Sequence, residues 1–375
     1  MNQDVVIVGG GIVGCAIADR LARAGVAVCL VERDVLGGAA TAASMGHLVV
    51  LDDDPAELTL SSYSCALWRE LAPLLPDNAD YRTTGTLWIA RDAAEMAEAE
   101  RKRTRLAAAG VNGELLTAQQ LAACEPALAP NLAGGLRVAA DAVVYPPVVA
   151  AWLARRAVAA GARLRCGVAV SAIGDGEVVL DDGSRLRARH IVVANGCSVP
   201  ELLSGAPVRR RKGHLLITTR LQPQVRHQLV ELGYVQSAHG EASESVAFNV
   251  QPRPTGQLLL GSTREFDAPA GSVTPRLIAR LVERAVEFLP GLAGRTALRA
   301  WTGFRPTTPD HRPLIGPWPL RAGVWLAGGH EGLGVTTALG TAELLAAQLL
   351  DLPLPFDAAP YAPGRFTSAV ASHVH

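Results

Sequence analysis

Asp4-Val-Val-Ile-Val-Gly-Gly-Gly-Ile-Val-Gly-Cys-Ala-Ile-Ala-Asp-Arg-Leu-Ala-Arg-Ala-Gly-Val-Ala-Val-Cys-Leu-Val-Glu32 is the stretch from which the fold can be read. Val5 to Val8 form a short, wholly apolar, β-branched run, the pattern of a strand buried on both faces of a parallel sheet. Cys15–Ala24 is amphipathic and stops at Gly25, and a second apolar run, Val26–Val31, ends at Glu32. Between the first strand and the helix stands Gly9-Gly-Gly-Ile-Val-Gly14, a Gly-x-Gly-x-x-Gly turn. Strand, glycine turn, helix, strand and acid together make a dinucleotide-binding unit. Gly9 permits the tight turn, Gly11 lets backbone approach a pyrophosphate, and Gly14 lets helix and strand pack closely. The helix start at Ile12 and Val13 offers unpaired N–H groups and a partial positive charge to phosphates. Glu32, about 20 residues on, is placed to accept from a ribose hydroxyl. Its charge opposes a 2′-phosphate, and Arg33 beside it offsets part of that repulsion.

Length and composition set limits around this unit. A chain of 375 residues exceeds what one ordinary core absorbs, so two intimately joined domains are expected. Lys+Arg and Asp+Glu balance to a net charge of +0, with the basic residues scattered, so there is no electrostatic footprint for nucleic acid. The longest basic run, Arg209-Arg-Arg-Lys212, leads into an apolar stretch and reads as a solvated strand entrance. No apolar run reaches the roughly 18 residues of a membrane span, and the first strand begins at once, so a cytoplasmic protein is expected. The six cysteines (Cys15, Cys29, Cys65, Cys124, Cys166, Cys197) lack C-x-x-C spacing. They read as reduced core residues and not as disulfides or metal ligands, and no metal site is expected.

Past Glu32 the chain carries a small-residue loop, Leu36 to His47, in which Thr41 and Ser44 can offer hydroxyls to a phosphate. Helices are expected at Leu58–Leu75, Ala93–Ala109, Thr117–Cys124 and Val148–Ala160, the last closed by Gly161. Leu164–Ile173, Glu177–Leu180 and Arg185–Ala188 read as a small antiparallel ribbon turning at Asp181-Asp-Gly183. His190-Ile-Val-Val-Ala-Asn-Gly196 is a further buried strand ending in a turn at Ala194, Asn195 and Gly196. From about 207 to 300, strand-like runs at Gly213–Thr219, Ser245–Val250 and Gln257–Ser262 surround one helix, Pro275–Phe288. Then Val324–Gly329 repeats the buried-strand pattern, His330-Glu-Gly-Leu-Gly334 makes a second glycine turn, and Val335–Leu350 is helical. Residues from about Pro363 read as a loose tail.

A second strand–glycine–helix element has a physical use beside a flavin. As a flavin takes up a hydride at N5, negative charge develops at N1 and the C2 carbonyl, and a helix start near Gly334 can stabilise it. That reading makes the dinucleotide FAD. The next constellation is Trp301-Thr-Gly-Phe-Arg-Pro-Thr-Thr-Pro-Asp310. Arg305, in an apolar Gly/Pro setting, needs an anion. Asp310 in a structural pair and the carboxylate of a substrate are both candidates.

Taken together, Gly9–Glu32, Gly303-Phe-Arg-Pro-Thr-Thr-Pro-Asp310 and Gly329-His-Glu-Gly-Leu-Gly334 resemble the D-amino-acid oxidase/glycine oxidase superfamily of FAD enzymes. The resemblance runs from Val5 to about Leu350. Met45-Gly-His-Leu-Val-Val50, Asp141-Ala-Val-Val-Tyr-Pro-Pro147, Val225-Arg-His-Gln-Leu-Val-Glu-Leu-Gly-Tyr234 and Ala247-Phe-Asn-Val-Gln-Pro-Arg-Pro-Thr-Gly256 look most like bacterial D-hydroxyproline dehydrogenases. Opine, glycine and sarcosine enzymes share several of these stretches. The resemblance implies that Arg305 clamps a substrate carboxylate. It places His330, Gly332, Leu333, Gly334, Val335 and Thr336 under the flavin, Val170 at the adenine, and Met45, Gly46, His47 and Leu48 along the cofactor. It also implies a substrate pocket to which His47, Asn249, Arg264, His330 and Glu331 are candidates. His47 is as well suited to a packed, backbone-bonded place, and Arg264 to a strand-end pair with Glu265. Two departures stand out: Asn249 occupies a position where glycine oxidases carry a tyrosine, and with no cysteine after Cys197 a thioether-linked flavin is not expected.

The expected fold is therefore α/β: a Rossmann-like FAD-binding domain from 1–82, 140–206 and 301–365, and an inserted, mostly antiparallel substrate domain from 83–139 and 207–300, with 366–375 as tail. The expected reaction is oxidation of the Cα–N bond of a D-amino or cyclic imino acid by hydride transfer to N5. The resemblance puts cis-4-hydroxy-D-proline first, with glycine-, sarcosine- or opine-oxidase activity, or an FAD-carrying subunit, as alternatives. Expected partners are the amino or imino acid, O2 or a membrane quinone as electron acceptor, further copies of the chain or small extra subunits, and no nucleic acid. The expected location is the cytoplasm, including the face of the inner membrane.

Overall fold

The structure, a computed structural model, describes residues 3–52, 54–233, 244–266 and 271–366. The first strand, Gln3–Val8, pairs in parallel with Val28–Glu32 on one side and with Arg185–Val193 on the other. Its alternate residues enter different cores. Val5 and Ile7 join the cluster beneath the helices, while Val6 and Val8 pack with Ile173, Val178 and Leu203. The unbroken apolar run thus reports burial on both faces. The sheet runs Leu314–Pro317, Val324–Gly328, Arg185–Val193, Gln3–Val8, Val28–Glu32, Arg163–Cys166. Against one face lie the helices Ile12–Arg23, Pro146–Ala159 and Gly334–Leu349, whose alanines and glycines allow close approach.

The second sheet has eight strands in the order Ala297–Thr307, Arg209–Arg220, Gln257–Phe266, Glu244–Pro252, Gln228–Glu231, Thr86–Ala90, Gly134–Val138, Glu114–Thr117. All neighbours are antiparallel except Gln228–Glu231 with Thr86–Ala90. One face is sealed by the helix Pro275–Phe288, where Phe288 stacks on Phe248 at 4.3 Å between ring centroids. The opposite face turns toward the first sheet. His47–Leu48 pairs with Ala142–Val143 in a small ladder of its own.

Several sequence expectations need correction. Arg163–Cys166 is not part of the ribbon: it extends the parallel sheet beside Val28–Glu32, and only Val170–Gly174, Glu177–Leu180 and the start of Arg185–Val193 form the antiparallel piece. A boundary at 301 would cut a strand, because Ala297–Thr307 pairs along its whole length with Arg209–Arg220. Arg209 and Arg210 are exposed as expected, but Arg211 and Lys212 are each 1% exposed. The strand is covered on both faces from Arg211 onward, so both side chains lie inside, where Arg211 meets Glu331 and Lys212 lies 4.0 Å from Glu265. Cys166 is exposed and is no core residue. Pro363–Phe366 forms a turn held by Arg365 on Asp310 (2.8 Å), so the loose tail does not begin at Pro363. Tyr234 and residues 367–375 lie outside the described residues. No helix among the described residues is long and apolar enough to cross a membrane.

Candidate active site

The glycine turn is built as its spacing demands. Gly9 has φ +109°, and a Cβ on Gly14 would lie 1.9 Å from the Gly9 carbonyl oxygen. The Ile12–Arg23 helix starts at Gly11 with no side-chain cap of its own, and Thr41 Oγ1, from the following loop, accepts from Ile12 N at 3.1 Å. Glu32 is tied back to the turn: its Oε2 accepts from Gly10 N (2.6 Å) and its Oε1 from Asp34 N (2.8 Å). The carboxylate is held at the end of its strand with lone pairs to spare for a ribose. Arg33 pairs with Asp34 at 3.2 Å. Ser44 is spent differently from expectation, since its hydroxyl donates to the Thr41 carbonyl (2.8 Å).

From this turn one continuous cavity of about 830 Å³ reaches the second sheet. That lies near the upper end of the volumes usual for ligand pockets. Gly9, Gly11, Ile12, Val13, Glu32, Arg33, Thr41, Ser44 and Val170 line one part of it, and Met45, Gly46, His47, Ala194, Asn195 and Gly196 also border it. His330, Glu331, Gly332, Leu333, Gly334, Val335 and Thr336 come from the late turn, and Asn249, Arg264 and Arg305 from the second sheet. Leu48 does not border the cavity: strand alternation turns it into the helix core, where it is 2% exposed. Gly14 serves the packing of helix on turn and not the cavity wall.

The second helix start faces the same space. Gly334–Leu349 begins without a side-chain cap and without an acidic residue in its first turn. Thr336 Oγ1 donates to the His47 carbonyl (2.9 Å), which ties the helix to the 45–49 segment. The His330 ring is tied to the second helix. Its Nε2 meets Thr341 Oγ1 at 3.0 Å, and burial pushes its imidazole pKa down to about 4. His47 borders the cavity with its Nε2 buried and unpartnered, and burial again lowers its pKa to about 4. Both imidazoles are neutral at neutral pH.

Arg305 projects over the strand Arg209–Arg220 at Gly213, where a Cβ would come within 2.4 Å of its guanidinium. Its Nη1 donates to the Thr263 carbonyl at 3.0 Å. Of the two anions considered for it, Asp310 pairs with Arg365. Beside it stands Glu331, a residue with φ +48° whose carboxylate accepts from Arg211 (2.9 Å) and meets His311 Nδ1 (2.8 Å). Burial would raise the Glu331 pKa, but the His311 hydrogen bond and the charges of Arg264, His311 and Arg211 hold it at about 2. Arg264 is 6% exposed, 4.0 Å from Glu331, and not the surface partner of Glu265. Gly213, Trp88, Val230, Leu215 and His311 also border the cavity, and none of them was named as a candidate. A glycine inside an apolar strand was the one available signal for Gly213.

A cavity joining a dinucleotide turn and its helix start to a second, uncapped helix start fits FAD, and the family comparison agrees. Residues 4–348 match the DAO family, FAD dependent oxidoreductases, and the chain belongs to that family. FAD is its cofactor. The bifunctional protein ThiO/ThiG of Trichormus variabilis is 29% identical over 92% of this chain and 52% of its own length, so the chain spans about half of that protein. An opine oxidase subunit of Rhizobium meliloti is 27% identical over 98% of this chain and 99% of its own. The crystal structure of glycine oxidase from Geobacillus kaustophilus superposes with a TM-score of 0.86 at 26% identity, covering 97% of this chain and 99% of that one.

Proposed function

We propose that this chain oxidises the Cα–N bond of a small amino or imino acid whose carboxylate is held by Arg305. The observation that carries the reading is the Arg305 guanidinium, laid over Gly213 inside the FAD cavity while Asp310 is taken up by Arg365. Likeness to glycine oxidase supports the same class of substrate. When bound, FAD supplies the two-electron acceptor. The chain supplies orientation: a bidentate guanidinium fixes the carboxylate plane, and with it the direction of the Cα–H bond. Trp88, Val230 and Leu215 give the floor an apolar surface against which the carbon skeleton can lie. Hydride leaves from the neutral-amine form of the substrate, and His47, neutral at the cavity wall, adds no positive charge beside it. The finer substrate, cis-4-hydroxy-D-proline, rests on the sequence resemblance and belongs in the first screen beside D- and L-proline, glycine and sarcosine. Anaerobic mixing should bleach the flavin with at least one of them, and failure of all would refute the reading.

Similarity to the Rhizobium opine oxidase protein favours a second reading, in which the chain is the FAD-bearing member of a larger assembly. Reduction of its own flavin by the purified chain distinguishes the two. We place the enzyme in the cytoplasm, with O2 or a membrane quinone as the electron acceptor.

A further inference from the structure

His214 stands behind the cavity wall, and its hydrogen bonds lead to Arg305. Gly213 and Leu215 border the cavity, whereas the ring between them is turned to the start of the helix Pro275–Phe288, and His214 is 0% exposed. Three hydrogen bonds meet there. The His214 backbone N and its ring Nδ1 both reach Thr263 Oγ1, at 3.0 and 2.8 Å. Thr274 N, at the head of the helix, donates to the ring Nε2 at 3.0 Å.

These partners decide where the ring proton sits. A backbone N–H can only donate, so Nε2 accepts from Thr274 and the single proton of the uncharged ring is on Nδ1. Nδ1–H therefore donates to Thr263 Oγ1. Burial, with the charges of Lys212 and Arg305, holds the His214 pKa at about 4, in keeping with a ring that carries one proton at neutral pH. Thr263 is the link to the site: its hydroxyl oxygen takes both His214 donors, and its carbonyl oxygen takes Arg305 Nη1 at 3.0 Å. The register between Arg209–Arg220 and Gln257–Phe266 shifts between Lys212 and Leu216, the interval that contains His214. There a threonine side chain replaces a strand carbonyl as partner of the His214 N–H. Imidazole and hydroxyl, and not a regular ladder, set Thr263 against the strand on which Arg305 lies. A guanidinium moved by about 1 Å from its productive place costs on the order of 100-fold in rate.

We propose that His214 is a positioning residue for the carboxylate clamp: through Nδ1–H it fixes Thr263, and through the Thr263 carbonyl it fixes the Arg305 guanidinium over Gly213. This rests on Arg305 as the clamp. The test is anaerobic reduction of the bound flavin by whichever of glycine, sarcosine, D-proline, L-proline and cis-4-hydroxy-D-proline bleaches the unaltered holoenzyme. His214→Leu should lower kred/Kd about tenfold or more with FAD still bound. His214→Asn, whose amide N–H stands where Nδ1–H did, should return to within about threefold of the unaltered chain, whereas His214→Gln, which reaches Thr274 instead, should stay low. In an Arg305→Ala background His214→Leu should cost less than about twofold more, because the group it acts through is gone. Thr263→Val, which keeps the shape and removes the acceptor, should copy His214→Leu, and Thr263→Ser should not; this pair decides the matter if His214→Leu does not fold. Unchanged kred/Kd in His214→Leu or in Thr263→Val overturns the proposal. So does a His214→Asn no more active than His214→Gln, which would make the ring an anchor of the helix only, and so does an equal loss with and without Arg305. Bleaching by none of the compounds, or full activity of Arg305→Ala, overturns the clamp and the proposal together, whereas a loss in Arg305→Ala beside full activity in His214→Leu overturns this proposal alone.

Discussion

Arg305 can act as a clamp because of what surrounds it. Gly213 leaves room for the guanidinium, Thr263 holds one nitrogen, and Asp310 is occupied elsewhere. Arg305→Ala should lower kcat/KM by the equivalent of about 2–4 kcal/mol with FAD still bound, as for loss of a charged hydrogen-bond partner. Unchanged steady-state kinetics would remove Arg305 from the site. Gly213→Ala should act on the same group from below. Its new methyl displaces the flexible end of Arg305, so kcat/KM should fall about tenfold, the kinetic equivalent of about 1.4 kcal/mol, while the flavin spectrum stays the same. The histidines make a separate prediction. Burial lowers the folded pKa of His330 to about 4, whereas the unfolded chain titrates near 6.5. Their stabilising effect is therefore complete above pH 6.5 and is lost as pH falls toward 4, because only the unfolded chain takes up the proton. The same holds for His47. A denaturant series should show stability falling over that window by up to about 3 kcal/mol per histidine, and His330→Gln should flatten part of the slope. A wild-type curve level from pH 6.5 to 4 would contradict the buried, neutral assignment.

At the scale of elements, the two helix starts were the most legible feature of the sequence. Periodicity located Ile12–Arg23 and Gly334–Leu349 to within a few residues because glycine turns, strand runs and helix patterns agreed with one another. The antiparallel sheet was legible as a class from its short runs and Pro/Gly punctuation. What the sequence did not show is set by tertiary pairing. Arg163–Cys166 joins the parallel sheet only because Val28–Glu32 offers it an edge, and a four-residue run carries no mark of its partner. Arg211 and Lys212 look like surface charges until Glu331 and Glu265, distant in the chain, are brought opposite them. His330 was a substrate-pocket candidate from its place in the late turn, yet its Nε2 meets the Thr341 hydroxyl within the Gly334–Leu349 helix. Gly14→Ala tests the packing of the opening element. A Cβ there meets backbone and not a flexible tip, so a loss of about 1–3 kcal/mol in stability is expected, with FAD retained poorly. A fully loaded, equally stable Gly14→Ala would show that helix and turn are not so closely apposed.

On the scale of the whole molecule, the two sheets divide the work. The parallel sheet sets both helix starts toward one cavity, and the antiparallel sheet closes that cavity with an apolar floor, an arginine and an amide. Family membership fixes the cofactor, and the arrangement of Arg305 over the floor supports an amino or imino acid as its reductant. The decisive measurement is anaerobic bleaching of the bound flavin by amino acids compared with the same molecules lacking their carboxylate, proline with pyrrolidine and sarcosine with dimethylamine. The account predicts bleaching by at least one amino or imino acid and at least a hundredfold slower bleaching by its decarboxylated counterpart, about 2.7 kcal/mol in the barrier. Equal rates for both members of every pair would contradict it.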